Sequence, residues 1–307
     1  MDQAVIFGQH QNLVGVATQP NDYAMDVAAI LLTPGMLHNA GPFRLHTELA
    51  RALAELKIQS LRFDLSGIGE SLAVGSTGRS IDRAAHETGQ AMDFMQREFC
   101  IKKFVLFGLC SGADDSVQTA LQDERVIGFA IMDGCGYKTR AYRWHRIKNH
   151  VLPRLLMREK WVNVVRRSIG IGTGLNAPSQ LATDVREFPS REVAAQDFQE
   201  LVNRGLHMHF VYTGGIAEYY NYERQFLDMF YDVDWKDLAT TTFFPRMDHV
   251  GLLCEDRDLL VKDITNRIRQ MAESNCYHSG AIETSELPAP VILPFNSAIA
   301  CDSTAGN

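Results

Sequence analysis

The chain has 307 residues, of which 46% are hydrophobic and 22% charged, which is enough apolar material for a large packed core and excludes a disordered chain. A formal net charge of −7 favours solubility and gives no footing for nucleic-acid binding through total charge. The cysteines at 100, 110, 135, 254, 276 and 301 show no paired C-x-x-C spacing, so neither a zinc knuckle nor a disulfide framework is expected, and the usage fits a reducing cytoplasm.

In chain order, "MDQAVIFGQHQN" lacks the basic start and long apolar stretch of a signal peptide. No run approaches the apolar length of a membrane span. "AVIFG" and "NLVGVAT" predict a short antiparallel pair. "AAILLT" (28–33) predicts a buried strand, and "FRLHTELARALAELK" (43–57) a helix with Leu45, Leu49, Leu53 and Leu56 on one face. "QSLRFDL" (59–65) is the next strand. A long helix follows over 80–99, with Ser80 as its expected N-cap. "KKFVLFG" (102–108) is a strand that runs straight into a helix at 111–122. "VIGFAIMDG" (126–134), "HMHFVYT" (207–213) and "TTTFFP" (240–245) are further strands, and 257–272 is a closing amphipathic helix.

Alternating strands and helices predict an α/β architecture with a mostly parallel sheet and helices on both faces. The domain reading is a core of 1–137 and 206–273, a helical cap insertion at 138–205, and an extended tail at 274–307 containing "LPAPVILPF". In such sheets the ligand site lies beyond the carboxyl ends of the strands, so chemistry is expected in the residues just after them.

Gly108-Leu109-Cys110-Ser111-Gly112 is a G-x-C-x-G between a strand and a helix. That spacing suits a very tight turn, with small residues two positions either side of a nucleophile held in strained backbone. At a helix N-terminus a cysteine pKa of roughly 8.5 should fall. The alternative is a buried small hydrophobe. The glycines frame Cys110 rather than Ser111, so Cys110 is read as the nucleophile and the Ser111 N–H as an oxyanion donor. His249, in "FFPRMDHVGLL" after the last strand, is the expected base. Glu218, after "HMHFVYT", is the expected orienting acid, with Asp133 in "IMDGCG" the alternative and Asp248 assigned to the loop. The loop after "AAILLT" supplies Met36 N–H as the second oxyanion donor. His38 and Asn39 there either touch substrate or shape the loop. His207 and His209 alternate on one strand without a third ligand at sensible spacing, so neither a metal nor a cofactor is expected.

With these motifs in place the chain resembles the α/β-hydrolase superfamily over roughly residues 5–272. "LTPGMLHNAGPFRLHTELARALAELKIQSLRFDLSGIGES" resembles its oxyanion loop, first helix and next strand, ending in a D-x-x-G-x-G-x-S turn at Asp64, Gly67, Gly69 and Ser71. "FGLCSGA" resembles its nucleophile elbow and "MDHVGLL" its histidine loop. Gly41, Pro42 and Arg44 make the chain similar to bacterial hydrolases of the exosortase-associated type. Cysteine stands where serine is usual, as in dienelactone hydrolases and polyester synthases of the superfamily.

Cysteine implies an acyl-thioester intermediate, suited to hydrolysis of an ester or thioester and equally to acyl transfer to an amine or alcohol. A lactone or dienelactone hydrolase and a non-catalytic binding protein are the alternatives. Residues 138–167 hold ten Lys/Arg and one acid, with Trp144, Ile147, Val151, Leu155 and Trp161 interleaved. That stretch reads as a solvated helix face, as a dock for an acyl carrier protein or the phosphates of coenzyme A, or as a membrane-surface helix. A homodimer is compatible with the sequence.

Overall fold

In a computed structural model, which describes residues 1–75, 78–148 and 188–279, the apolar runs become strands β1 Asp2–Phe7, β2 Leu13–Thr18, β3 Val27–Leu32, β4 Gln59–Phe63, β5 Lys103–Leu109, β6 Val126–Met132, β7 His207–Thr213 and β8 Ala239–Phe244. They form one sheet in the order β1-β2-β4-β3-β5-β6-β7-β8. β2 is antiparallel to both β1 and β4, and every other pair is parallel. β3 (VAAILL) is buried along its whole length, as a central strand covered on both faces must be.

The helices are α1 Leu45–Glu55, α2 Ser80–Phe99, α3 Ser111–Gln122, α4 Arg140–Arg146, α5 Arg191–Asn203, α6 Gln225–Met229 and α7 Cys254–Ser279. Alternate residues of the strands feed two cores. On one face Val27, Ala29, Leu31, Val105 and Phe107 meet Leu45, Leu49 and Leu53 of α1 and Ile264 and Ile268 of α7. On the other, Ile30, Leu106, Phe129 and Ile131 meet Ala91, Met92 and Met95 of α2 and Phe198 and Leu201 of α5. Each fully buried leucine or phenylalanine contributes about 1.5–3 kcal/mol of transfer free energy, which is what holds the helices on the sheet.

The structure differs from the sequence reading at several boundaries. Ser80 is the first residue of α2, and Arg79 is its cap without a side-chain capping bond. Residues 42–44 form a separate 3₁₀ turn with Phe43 and Arg44 both left-handed, so α1 starts two residues late. α5, expected within the cap insertion, packs on the sheet, with Phe198 edge-on to Phe210 at 5.3 Å. α7 begins at Cys254 and runs to Ser279, beyond the expected 257–272. The rest of the predicted cap (149–187) and the tail from 280 lie outside the described residues. No helix among the described residues is long and apolar enough to cross a membrane.

Register sets the site. Leu32 pairs with Gly108, and Leu109 with Met132, so β3, β5 and β6 end level. The ladder then runs one step further: Cys110 N–H donates to Met132 O at 2.9 Å and Asp133 N–H to Val211 O at 2.8 Å. Cys110 and Asp133 therefore leave neighbouring strands side by side.

The first turn of α1 braces the end of β3. His46 is wholly buried, with Nε2 3.1 Å from Leu32 O. Its ring lies against Gly41, where any side chain would collide with Nδ1. Burial depresses its pKa to about 4, well below the usual 6.5. The unfolded chain therefore binds a proton that the folded chain refuses between those values. The stability that follows is whole above about pH 6.5 and falls as pH drops toward 4, by about 3 kcal/mol in all. Denaturant midpoints across that range should fall more steeply for the wild type than for His46→Leu. Coincident slopes would show that His46 is not held neutral.

Candidate active site

β5 ends in a backbone that few side chains tolerate. Cys110 sits at φ 57°, ψ −117°, directly before α3. Such a conformation costs about 1–3 kcal/mol and persists only where its surroundings force it. The glycines are part of that constraint. A Cβ on Gly108 would lie 2.0 Å from Gly112 O, and one on Gly112 would lie 2.6 Å from Leu32 O. The sequence spacing is thus a packing requirement, and the turn leaves Cys110 partly exposed above the sheet.

The loop after β8 brings His249 to this point. Its Nδ1 is 2.7 Å from Asp133 Oδ2, and its ring is also hydrogen-bonded to the Cys110 side chain. With Nδ1 engaged by Asp133, Nε2 is the nitrogen left for sulfur. The hydrogen bond to Asp133, then that to Cys110, raise the imidazole pKa from 6.5 to about 9 against the opposing cost of burial. Asp133 is wholly buried and left-handed (φ 51°). Its carboxylate also accepts the Thr213 N–H at 2.8 Å and the Thr213 hydroxyl at 2.7 Å. These donors stabilise the charged carboxylate and fix its direction.

Glu218, the acid expected from the sequence, does not hold the histidine. Its side chain is exposed, and its carbonyl accepts the Tyr142 hydroxyl at 2.6 Å. The reason lies in the turn after β7. A Cβ on Gly214 would lie 2.2 Å from Pro245 O, and one on Gly215 would lie 2.2 Å from His249 N. The glycines are a saddle on which the histidine loop rests, and the carboxylate that meets the ring comes from β6. Asp248 serves the loop, accepting the N–H groups of Val250 at 2.8 Å and Leu252 at 3.0 Å.

The hydroxyl of Ser111 accepts the Gly35 N–H at 2.6 Å. That bond ties the loop after β3 to the start of α3. Among the described residues neither Met36 N–H nor Ser111 N–H has a protein acceptor. Behind them Asp64 acts as a buried post. It accepts Asn39 N–H at 2.5 Å, Asn39 Nδ2 at 2.9 Å and Glu70 N–H at 3.2 Å, and Arg62 donates to Asn39 Oδ1 at 2.7 Å. Asn39 is therefore spent on shaping the loop. His38 keeps half its side chain exposed while Nδ1 accepts the Ala40 N–H at 3.3 Å, so only His38 of the pair presents surface.

Sequence reading passed over Thr213, Arg62 and Arg257. Arg257 donates to the carbonyls of Gly251 and Leu252 at 3.0 Å each and to Glu48 at 3.3 Å, tying the histidine loop to α1. A charged side chain at a buried position of β4 was the one available signal, at Arg62. His209 is buried on the strand face, with Thr240 and Asp263 each at 2.8 Å. No metal-binding cluster occurs among the described residues.

No family model and no curated protein matches the chain. Solved structures do. An α/β serine hydrolase without lid from Xanthomonas campestris aligns with a TM-score of 0.53 at 15% identity, over 88% of this chain and 94% of that one. An esterase from Pyrococcus furiosus aligns at 0.57 and 10% identity, over 89% and 91%. A proline iminopeptidase from Mycobacterium smegmatis aligns at 0.51 and 13% identity, over 90% and 100%. At such identities the likeness establishes the fold, and the chain has the α/β-hydrolase fold.

The geometry can be checked without a substrate. Near neutral pH, iodoacetamide should alkylate Cys110 faster than Cys100 or Cys254, which are also exposed to solvent. Asp133→Asn should slow that alkylation about tenfold, because it withdraws the group that keeps His249 charged. Glu218→Gln should leave the rate unchanged; the reverse pattern would return the acid to Glu218.

Proposed function

We propose that the chain is an acyl-transfer enzyme working through an acyl-Cys110 thioester, with His249 as proton carrier, Asp133 as its orienting acid, and the N–H groups of Met36 and Ser111 as oxyanion donors. One observation carries the reading: a cysteine in strained elbow geometry shares hydrogen bonds with an imidazole whose other nitrogen is held by a buried carboxylate. The fold is shared with proteins named as an esterase and an iminopeptidase, which favours chemistry at an acyl carbon without selecting the substrate.

The steps follow from the groups. The ring stays protonated up to about pH 9, and imidazolium beside a sulfur at a helix N-terminus favours the thiolate as the attacking form. The sulfur adds to the acyl carbon, forming C–S, and the carbonyl electron pair moves to the oxygen facing the two N–H donors. Collapse breaks the bond to the leaving group, which takes the Nε2 proton. The acyl thioester so formed is attacked by water, an amine or an alcohol as neutral His249 accepts the incoming proton. A second collapse expels the Cys110 sulfur and restores the pair. A thioester keeps more reactivity toward amines and thiols than an ester, so transfer is as well served as hydrolysis. Throughout, Asp133 holds the ring in one tautomer and stabilises its charged form.

His38, half exposed on the oxyanion loop, is assigned to substrate contact. The kinship with exosortase-associated hydrolases is proposed on Gly41, Pro42 and Arg44 of the sequence.

Intact-mass spectrometry after mixing with a series of acyl-N-acetylcysteamine thioesters should show one acyl adduct on the wild type and none on Cys110→Ala. An adduct or turnover that survives in Cys110→Ala would sink the assignment. Ser111→Ala should slow turnover about tenfold while leaving the adduct in place, since it loosens the oxyanion loop and keeps the nucleophile. The pH profile of kcat/KM should fall above about pH 9 as the imidazolium is lost. In Asp133→Asn the fall should move to lower pH, with activity reduced about 10³–10⁴-fold.

A further inference from the structure

The segment from Lys138 to Lys148 holds five cations and no acid in a chain of net charge −7. It contains α4, and the two sides of that helix differ. Tyr142, buried, and His145 face inward. The Tyr142 hydroxyl donates to the carbonyls of Ala217 and Glu218 at 3.0 and 2.6 Å, and His145 stacks flat on Tyr222 with ring centres 4.5 Å apart. Asn221 Nδ2 donates to Tyr142 O at 3.2 Å, and the hydroxyls of Thr139 and Tyr222 lie 2.6 Å apart. The loop so gripped, 217–222, follows the Gly214-Gly215 saddle that carries the backbone of His249. α4 is thereby fixed to the loop that borders the candidate site.

The outward side carries Arg140, Arg143, Arg146 and, just beyond the helix, Lys148, all exposed. Among the described residues none of the four forms an ion pair. Between them stand Trp144, 65% exposed, and Ile147, 49% exposed.

We propose that this face of α4 is a docking surface for an acidic protein domain that presents the acyl group to Cys110 as a thioester. The inference rests on the acyl-cysteine reading above. Charge complementarity selects an acidic partner. The layout selects a protein over a small phosphate compound: the cations are strung along about 10 Å of convex helix and do not converge in a cleft. Arginine and tryptophan side by side are the composition of energetic centres in protein interfaces. A lipid surface is the weaker fit, because among the described residues this face offers two exposed apolar side chains, little area to bury in a bilayer interface.

The test compares three donors of one acyl group: an acidic acyl carrier protein bearing it on a phosphopantetheine arm, the coenzyme A thioester, and the uncharged N-acetylcysteamine thioester. The Arg140→Glu/Arg143→Glu/Arg146→Glu variant should raise KM for the carrier-borne donor at least about tenfold and abolish its salt dependence. Turnover of the uncharged donor should stay within about twofold, which also reports that the variant is folded. Trp144→Ala, which leaves the charge intact, should weaken carrier binding as well. Equal kinetics of variant and wild type on the carrier would overturn the proposal in favour of a solvated face. An equal loss on coenzyme A thioester would reassign the face to a small phosphate. Co-sedimentation with phosphatidylserine vesicles that the variant loses, with carrier kinetics unchanged, would reassign it to lipid. Carrier binding is followed separately by anisotropy of labelled carrier. Charge-dependent binding without acylation of Cys110 would overturn the catalytic reading alone, and absence of binding would overturn the docking surface.

Discussion

The contact between His249 Nδ1 and Asp133 Oδ2, 2.7 Å long, is the constraint on which the site depends. It joins the end of β6 to the loop after β8 across the end of β7, so three strand ends must be placed correctly for it to exist. Thr213, at the end of β7, gives Asp133 two further hydrogen bonds, and the glycines after it provide the gap through which the histidine loop passes. A wholly buried carboxylate is tolerable only when its charge is met in this way. The same donors that make Asp133 admissible in the core aim it at the ring, and the aimed carboxylate keeps that ring protonated beside sulfur.

The second half of the site is a matter of close approach. Gly112 packs on Leu32 O, Ser111 Oγ takes Gly35 N–H, and His46 grips Leu32 O from the opposite side. The end of β3 is thus held between α1 and α3. Strain at Cys110 and the left-handed run at Phe43 and Arg44 are sustained by this packing. Asp64 and Arg62, inside the sheet, fix Asn39 and with it the rest of the loop. Buried polar groups bonded in this way rigidify what surrounds them, and Asn39 is held from both sides.

Much of this was legible in the chain. Apolar runs of strand length and helices with one leucine face fix the alternation, because period 2 and period 3.6 are properties of local backbone. The helix at 111–122 was readable to the residue, and that at 80–99 in its extent though not in its cap. Cys110 was readable because its glycines are a local steric requirement. His249 was readable from its place after the last strand. The acid was not: Glu218 and Asp133 both follow strands and both carry a carboxylate, and chain order does not say which reaches the ring. Nor was the burial of Asn39, which depends on Asp64 arriving from the next strand 25 residues on.

The sequence by itself determined which segments are strands, which cysteine stands in a turn too tight for side chains on either side, and where positive charge accumulates. These follow from neighbours within a few residues along the chain. Only the tertiary structure decided that β6 and not β7 supplies the carboxylate, that the Ser111 hydroxyl serves the loop, and that α4 turns its arginines outward beside the site. Each of those rests on contacts between residues far apart in sequence, set by sheet register and by which backbone can pass over a glycine. Local chemistry marked the candidates, and the geometry of the sheet edge chose among them.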